Sequence, residues 1–375
     1  MLASLSSLAM GLSPSVSFEE YTAHFGKVYG VEELATRRSI FESNVAVIVA
    51  QNERESTGAS SWKAGINKFS DWTNDEFRAQ RTASLPSTMR NIKGTMGTQT
   101  PSFSASGPLA DSVDWRVATA AGLEVLTPVK DQGGCGSCWA FSAVETFEAA
   151  LALKTGKPSP ILSTQQIVSC TPNPNDCGGT GGCEGATQQL AFNYTMKAGM
   201  TTGAQYPYKG QDSKCDTAFK PVAKNTGYWT VMPNNYTDLM HSVSRQPIAI
   251  TVAAGGIGWQ VYSSGVYSGG ILGCGYALDH GVQLAGYGAT AQGEKYWCVF
   301  RNSSAREEGA AMLKSNFRWL PRCMRAASRR AHPAYARPRP RPRPRALSLS
   351  SLRSAPAGSC ATHGAAAGGR RGTCT

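Results

Sequence analysis

The sequence predicts an α+β protein: a small helical unit first, then a helical half, then an antiparallel, barrel-like β half. Three observations carry this. Glu33, Arg37, Phe41, Asn44, Ile48 and Asn52 follow one another at intervals of three and four residues, which places them on one helical stripe. A glycine-rich turn ending at Ser137 opens into the run Ala140 to Ala150, which reads as a helix with Cys138 at its start. Further on, 246–252, 281–288 and 296–300 are short β-branched and aromatic runs separated by glycine-rich turns, the pattern of antiparallel strands. A helical half packed on a β half leaves a cleft where groups from distant parts of the chain can meet.

Composition sets the outer limits. A length of 375 residues gives room for two or three domains, and 41% hydrophobic content is that of ordinary globular protein. The net charge of +12 invites a nucleic-acid reading, but residues 305–375 alone hold 14 Arg and one Lys against two Glu. The rest is close to neutral, so the basicity belongs to the tail. Eleven cysteines, with Cys135, Cys170, Cys177, Cys183 and Cys215 clustered, suggest a disulfide framework made in a secretory pathway. Residues 1–17 read as a short signal segment, although they lack a basic start and a long apolar run. No apolar run is long enough to span a bilayer, and no membrane partner is expected.

In chain order, residues 18–81 form the helical unit, and 82–108, rich in Ser, Thr, Gly and Pro, form an exposed connector suited to proteolytic release. Gln132 to Trp139 then concentrates the chemistry. A thiol at a helix N-terminus feels the positive end of the helix, and the thiolate is the attacking species. Gln132 stands close behind, where its amide and the Cys138 backbone N–H can cradle a developing oxyanion. Cys135 and Cys138 also admit a thioredoxin-like redox pair or half of a zinc site, but no second Cys-x-x-Cys follows. The glycine-rich run from Cys177 to Gly185 must be irregular, either as a disulfide-tied turn or as a cleft wall. His280 follows Cys138 by 142 residues, and Asn302 comes later still.

Gln132, Cys135, Gly136, Ser137, Cys138 and Trp139 together resemble the active-site segment of the papain and cathepsin family of cysteine peptidases. The helical stripe resembles that family's ERFNIN propeptide pattern, and Gly65, Asn67, Phe69 and Asp71 its Gly-x-Asn-x-Phe-x-Asp pattern. The resemblance implies a papain-like two-lobed fold preceded by a helical inhibitory prodomain that runs backwards through the cleft. It further implies a cysteine endopeptidase made as a zymogen, with Cys138 as nucleophile, His280 as its acid and base, Asn302 orienting the imidazole and Gln132 stabilising the oxyanion. By the same resemblance Cys135 pairs with Cys183 and Cys170 with Cys215, while Cys177 has no assigned partner. Gly185 and Ala186 would hold an extended substrate, and Thr251, Ala254 and Leu278 would line the pocket for the second residue before the scissile bond.

No metal or organic cofactor is implied. The partners are peptide and protein substrates and the chain's own prodomain, in a lysosome or vacuole or outside the cell. The peptidase domain is expected over 109–304. After Ser303 the likeness stops, which points to a shifted reading frame or a misjoined gene model, with an authentic disordered tail at 305–375 as the alternative. Such a tail would touch nucleic acid only nonspecifically. The loss leaves Cys274 without its usual half-cystine and gives a rival function, a catalytically impaired binding protein with an intact cleft.

Overall fold

A computed structural model describes residues 12–82, 108–231, 235–269, 277–300 and 310–314 of the chain. Residues 1–11, the connector from 83 to 107, Cys274, Asn302 and the tail beyond 314 lie outside the described residues.

The chain begins with helix α1 (Phe18–Phe25), held at its start by a reciprocal Ser17 and Glu20 capping box. Helix α2 (Val31–Ser56) presents Phe41, Asn44, Ile48 and Gln51 to the interior. Phe41 packs against Phe18 and Tyr21, at ring separations of 5.6 and 4.6 Å. The polar positions of the stripe each reach a partner. Arg37 bridges Glu33 at 2.8 Å and Glu76 at 2.9 Å. Asn44 donates to the carbonyls of Ser70 and Trp72, and Asn52 exchanges hydrogen bonds with the Ala64 backbone. One face of α2 thus fastens the chain that returns along it, through strand β1 (Trp62–Ala64) to helix α3 (Asn74–Arg81), itself started by a Thr73 and Glu76 capping box.

Beyond the connector come strand β2 (Val113–Asp114), helices α4 (Cys138–Thr155), α5 (Thr164–Cys170), α6 (Gln188–Ala198) and α7 (Tyr236–Arg245), strand β3 (Ile248–Val252) and the short helix α8 (Ile257–Gln260). Strands β4 (Tyr262–Tyr267), β5 (His280–Ala289), β6 (Lys295–Phe300) and β7 (Ala310–Lys314) complete the described elements. Helix α4 is apolar on nearly every side, and 13 of its residues are buried, so it is a core helix and not an amphipathic surface one. Two of its acids are buried with it. Glu148 accepts from Lys130 at 2.6 Å, the Thr127 hydroxyl at 2.5 Å and the Leu162 N–H at 2.7 Å. Burial pushes the Glu145 carboxyl up to about 8.

The sheet runs β1-β4-β7-β6-β5-β2, with β3 also pairing to β5. Its pairings are antiparallel except for β4 with β7, which run parallel. The barrel-like expectation needs correction: among the described residues the sheet does not close. β5 is shared along its length, meeting β3 over 280–284 and β2 over 286–287, so no strand is left to join this end to β1. The end strand β1 belongs to the N-terminal helical unit and pairs with β4 through Trp62 and Gly265. The N-terminal helical unit therefore extends the sheet of the rest of the chain by strand addition. Trp62 is fully buried there, its ring 5.0 Å from that of Tyr267, a burial worth on the order of 3 kcal/mol.

Candidate active site

The turn before α4 is fixed by its own polar groups. Gln132 is fully buried, and its Nε2 donates to the Cys135 carbonyl at 2.9 Å. The Tyr208 hydroxyl donates to the Gln132 carbonyl at 2.7 Å and shares a 2.7 Å hydrogen bond with Ser137. The Trp139 indole N–H reaches the Gly182 carbonyl, tying the helix start to the glycine-rich wall. Cys135 is bridged to Cys183 and Cys170 to Cys215, as the resemblance implied. Cys177 is disulfide-bonded as well. The redox reading of Cys135 and Cys138 fails because Cys135 is committed elsewhere. Cys138 keeps its thiol as the first residue of α4, the end at which the helix dipole favours an anion.

His280 opens β5, opposite Val252 of β3, and the Trp259 ring stands edge-on to it at 6.3 Å. The next residue explains how β5 approaches the helix. A Cβ on Gly281 would stand 2.9 Å from the Cys138 carbonyl oxygen and 2.9 Å from the Ser142 hydroxyl, so only a glycine permits this contact. His280 and Cys138, far apart in sequence, are neighbours of that single crossing. Asp279 accepts the Ala254 N–H at 2.7 Å. Burial pushes its carboxyl up to about 6, against the pull of that N–H and of the Arg78 guanidinium.

The remaining sequence-predicted positions fall in both halves of the fold. Ala254 lines one pocket with His280 and Trp259, and Thr251 pairs with Gly281 across the sheet. Leu278 is half-buried just before Asp279. Gly185 ends a 3-10 turn (Gly182–Glu184), and Ala186 packs with Cys135 and Trp139 in the core of the helical half. Asn302 lies outside the described residues. Among the described residues no group of three or more His, Cys, Asp or Glu side chains is arranged to hold a metal ion.

The cleft is occupied by the chain's own N-terminal unit. Phe69, Phe77, Arg81 and Thr82 share the pocket of Ala254, Trp259 and His280. The Arg81 carbonyl takes the Gln132 Nε2 hydrogen bond at 3.2 Å. Asn67 donates to the Gln260 carbonyl, and Gln260 Nε2 returns hydrogen bonds to the carbonyls of Phe69 and Trp72. Gly65 lies so close to β4 that a Cβ there would meet Ser263 Cβ at 2.9 Å. Sequence reasoning missed Arg81, Gln260, Trp259 and Tyr208, because nothing in their local spacing marks them. Their roles come from contacts across long sequence separations.

A thiol at a helix start, an imidazole across a cleft and the chain's own N-terminal helices filling that cleft define a cysteine-type peptidase held as a zymogen. The comparisons agree. Residues 109–311 match the model of the papain family cysteine proteases, and residues 18–77 that of the cathepsin propeptide inhibitor domain. The thiol protease SEN102 of Hemerocallis is 38% identical over 296 residues, 78% of this chain and 77% of that protein. The senescence-specific cysteine protease SAG12 of Arabidopsis thaliana is 39% identical over 293 residues, 76% and 79% of the two chains. Among solved structures, the recombinant stem bromelain precursor superposes with a TM-score of 0.67 at 33% identity, covering 82% of this chain and 95% of that one. The proform of the ragweed pollen protease Amb a 11 gives 0.69 at 31%, covering 82% and 91%. The chain belongs to the papain family of cysteine proteases and carries that family's inhibitory propeptide domain ahead of its peptidase domain. It is a cysteine endopeptidase made as a zymogen, and nothing in these relatives supports the catalytically impaired alternative.

Proposed function

We propose that Cys138 is the nucleophile and His280 its proton partner, and that the enzyme cleaves extended peptides in a vacuole or lysosome or outside the cell. The observation that supports this most is the Gly281 crossing, which sets the first residue of β5 beside the first turn of α4. The Cys138 thiolate attacks the scissile carbonyl carbon, forming a C–S bond, and the carbonyl oxygen takes the negative charge. Gln132 Nε2 and the Cys138 N–H stabilise that oxyanion. His280 gives its proton to the departing amine, then takes one from water, which attacks the thioester and releases the acid and the thiolate. In the zymogen the Arg81 carbonyl already takes the Gln132 amide hydrogen, so no substrate carbonyl can use that donor. The apolar or small Ala186, Ala254 and Leu278, with Gly185 and Thr251, suit an extended chain with an apolar side chain at the second position before the cut.

Acid activation followed by labelling with an epoxide thiol probe tests the assignment. Activated enzyme is expected to take one label, at Cys138, and to hydrolyse peptides. Cys138→Ser should abolish both, and His280→Ala should slow labelling by about two orders of magnitude. Labelling at Cys298 instead, or unchanged labelling of His280→Ala, would refute it.

A further inference from the structure

The tripeptide Asn-Tyr-Thr occurs at 193–195 and again at 235–237, and each copy is an acceptor sequence for an N-linked glycan. A third acceptor, Asn302-Ser303-Ser304, lies outside the described residues. The bridges Cys135 to Cys183 and Cys170 to Cys215 are of the kind formed in a secretory pathway, where such glycans are added. Because the first two copies are identical in sequence, only their places in the fold can tell them apart.

The copy at 193 is built into the packing of the helical half. Asn193 lies in the middle of α6, and its side chain hydrogen-bonds the Tyr228 hydroxyl. The ring of Phe192, the residue before it, lies 5.5 Å from that of Tyr228. Asn225 Nδ2 and the Thr195 hydroxyl both donate to the Phe192 carbonyl, at 3.2 and 3.0 Å. Thr195 is buried. The segment from 225 to 228 is thus laid against Asn193, and a sugar on that amide would have to expel it.

The copy at 235 starts a helix. Asn235 is the N-cap of α7, its Oδ1 accepting the Asp238 N–H at 2.9 Å. The cap uses the oxygen, whereas a glycan is attached to the nitrogen, and the substituted amide keeps its carbonyl and one N–H. Cap and glycan are therefore compatible. Thr237 is exposed. Helix α7 turns another side inward, where Ser242 and Val243 are buried and the Tyr236 ring stands 5.1 Å from that of Trp297. Trp297 in turn lies 5.9 Å from Tyr287. Tyr287 and His280 are near opposite ends of β5, about 20 Å apart at about 3.3 Å per residue. A glycan at 235 leaves the cleft open.

We propose that Asn235 carries an N-linked glycan in the folded protein and that Asn193 does not. The amide nitrogen attacks the anomeric carbon of a lipid-linked pyrophosphoryl oligosaccharide. A C–N bond forms, the bond from that carbon to the pyrophosphate oxygen breaks, the amide loses a proton and the lipid pyrophosphate leaves. Transfer to Asn193 would give a chain in which the 225–228 segment cannot pack, so folding removes it. The inference rests on the secretory route proposed above and is independent of the catalytic assignment.

The test passes the full chain through a eukaryotic secretory pathway behind a host leader and isolates the folded, soluble zymogen. Peptide N-glycosidase in heavy-oxygen water then hydrolyses each glycan-bearing amide to an aspartate that keeps the heavy oxygen, and mass spectrometry reads both positions. Heavy aspartate is expected at 235 and unmodified asparagine at 193. Thr237→Ala, which leaves the Asn235 cap in place, should lose the heavy label at 235. If that variant does not fold, the wild-type map decides alone. Unmodified Asn235, or a glycan on Asn193, in the folded zymogen overturns the inference. The chain expressed from its own N-terminus reports separately on the route: product lacking both disulfides contradicts the secretory reading and leaves the comparison of the two sites standing.

Discussion

Gly281→Ala is the sharpest perturbation of the active site that leaves every polar group in place. The added Cβ would lie 2.9 Å from the Cys138 carbonyl oxygen and 2.9 Å from Ser142 Oγ, where ordinary contact begins near 3.4 Å. Neither obstacle yields easily. The carbonyl is part of the α4 backbone, and the Ser142 hydroxyl is held to that same carbonyl at 2.9 Å. Strand β5 must therefore withdraw by about half an ångström, at a cost of about 1–3 kcal/mol in stability. His280 withdraws with it. Since a displacement of about 1 Å between reacting groups costs on the order of a hundredfold in rate, half of that costs about tenfold. The assay is kcat on the activated enzyme, corrected for the fraction of sites that take the epoxide probe. A folded Gly281→Ala enzyme with wild-type kcat would show that this crossing does not set the distance between His280 and Cys138.

Two further outcomes concern buried carboxyl groups. Glu145 has its carboxyl raised from 4.5 to about 8 by burial, so the folded protein binds a proton that the unfolded chain gives up. That stability is full below pH 4.5 and is lost as pH rises towards 8, by up to about 5 kcal/mol. Urea unfolding of the Cys138→Ser zymogen should therefore show Glu145→Gln gaining on the parent from pH 5 to pH 8, and parallel curves would contradict the burial argument. Asp71 is fully buried, with Lys27 Nζ at 3.0 Å and the Tyr29 hydroxyl donating to its other oxygen, and its backbone carbonyl accepts from Arg37. That ion pair ties the turn after α1 to the segment leading into α3. Asp71→Asn is expected to loosen the prodomain by about 2 kcal/mol and to speed self-processing several-fold at a fixed pH, and an unchanged rate would count against a role for this ion pair.

The helical stripe was legible because 3.6-residue periodicity is local: Phe41 and Ile48 are buried and Asn44 and Asn52 reach backbone on the returning chain. The three expected strand runs reappear as β3, β5 and β6. Strand β7 was not foreseen, since it comes after the point where the recognisable pattern ends, and the open sheet was not foreseen either. Alternation of residue types shows that a segment is extended but carries no information on its neighbours. The parallel contact of β4 with β7 and the branching at β5 are decided by which edges remain after packing.

Taken alone, the order of residues determined the chemistry on offer: a thiol at a helix start, a later histidine, an amide donor and a front unit with its own helical pattern. Only the folded chain decided what each group faces. Gly281 against the Cys138 carbonyl, Gln260 threaded between prodomain carbonyls and Arg81 on Asp131 all join residues at least 50 positions apart, and Trp259 reaches His280 from outside its strand. Local sequence fixes conformational preference over a few turns. Contacts at such separations exist only when the competition among all the elements for burial has been settled.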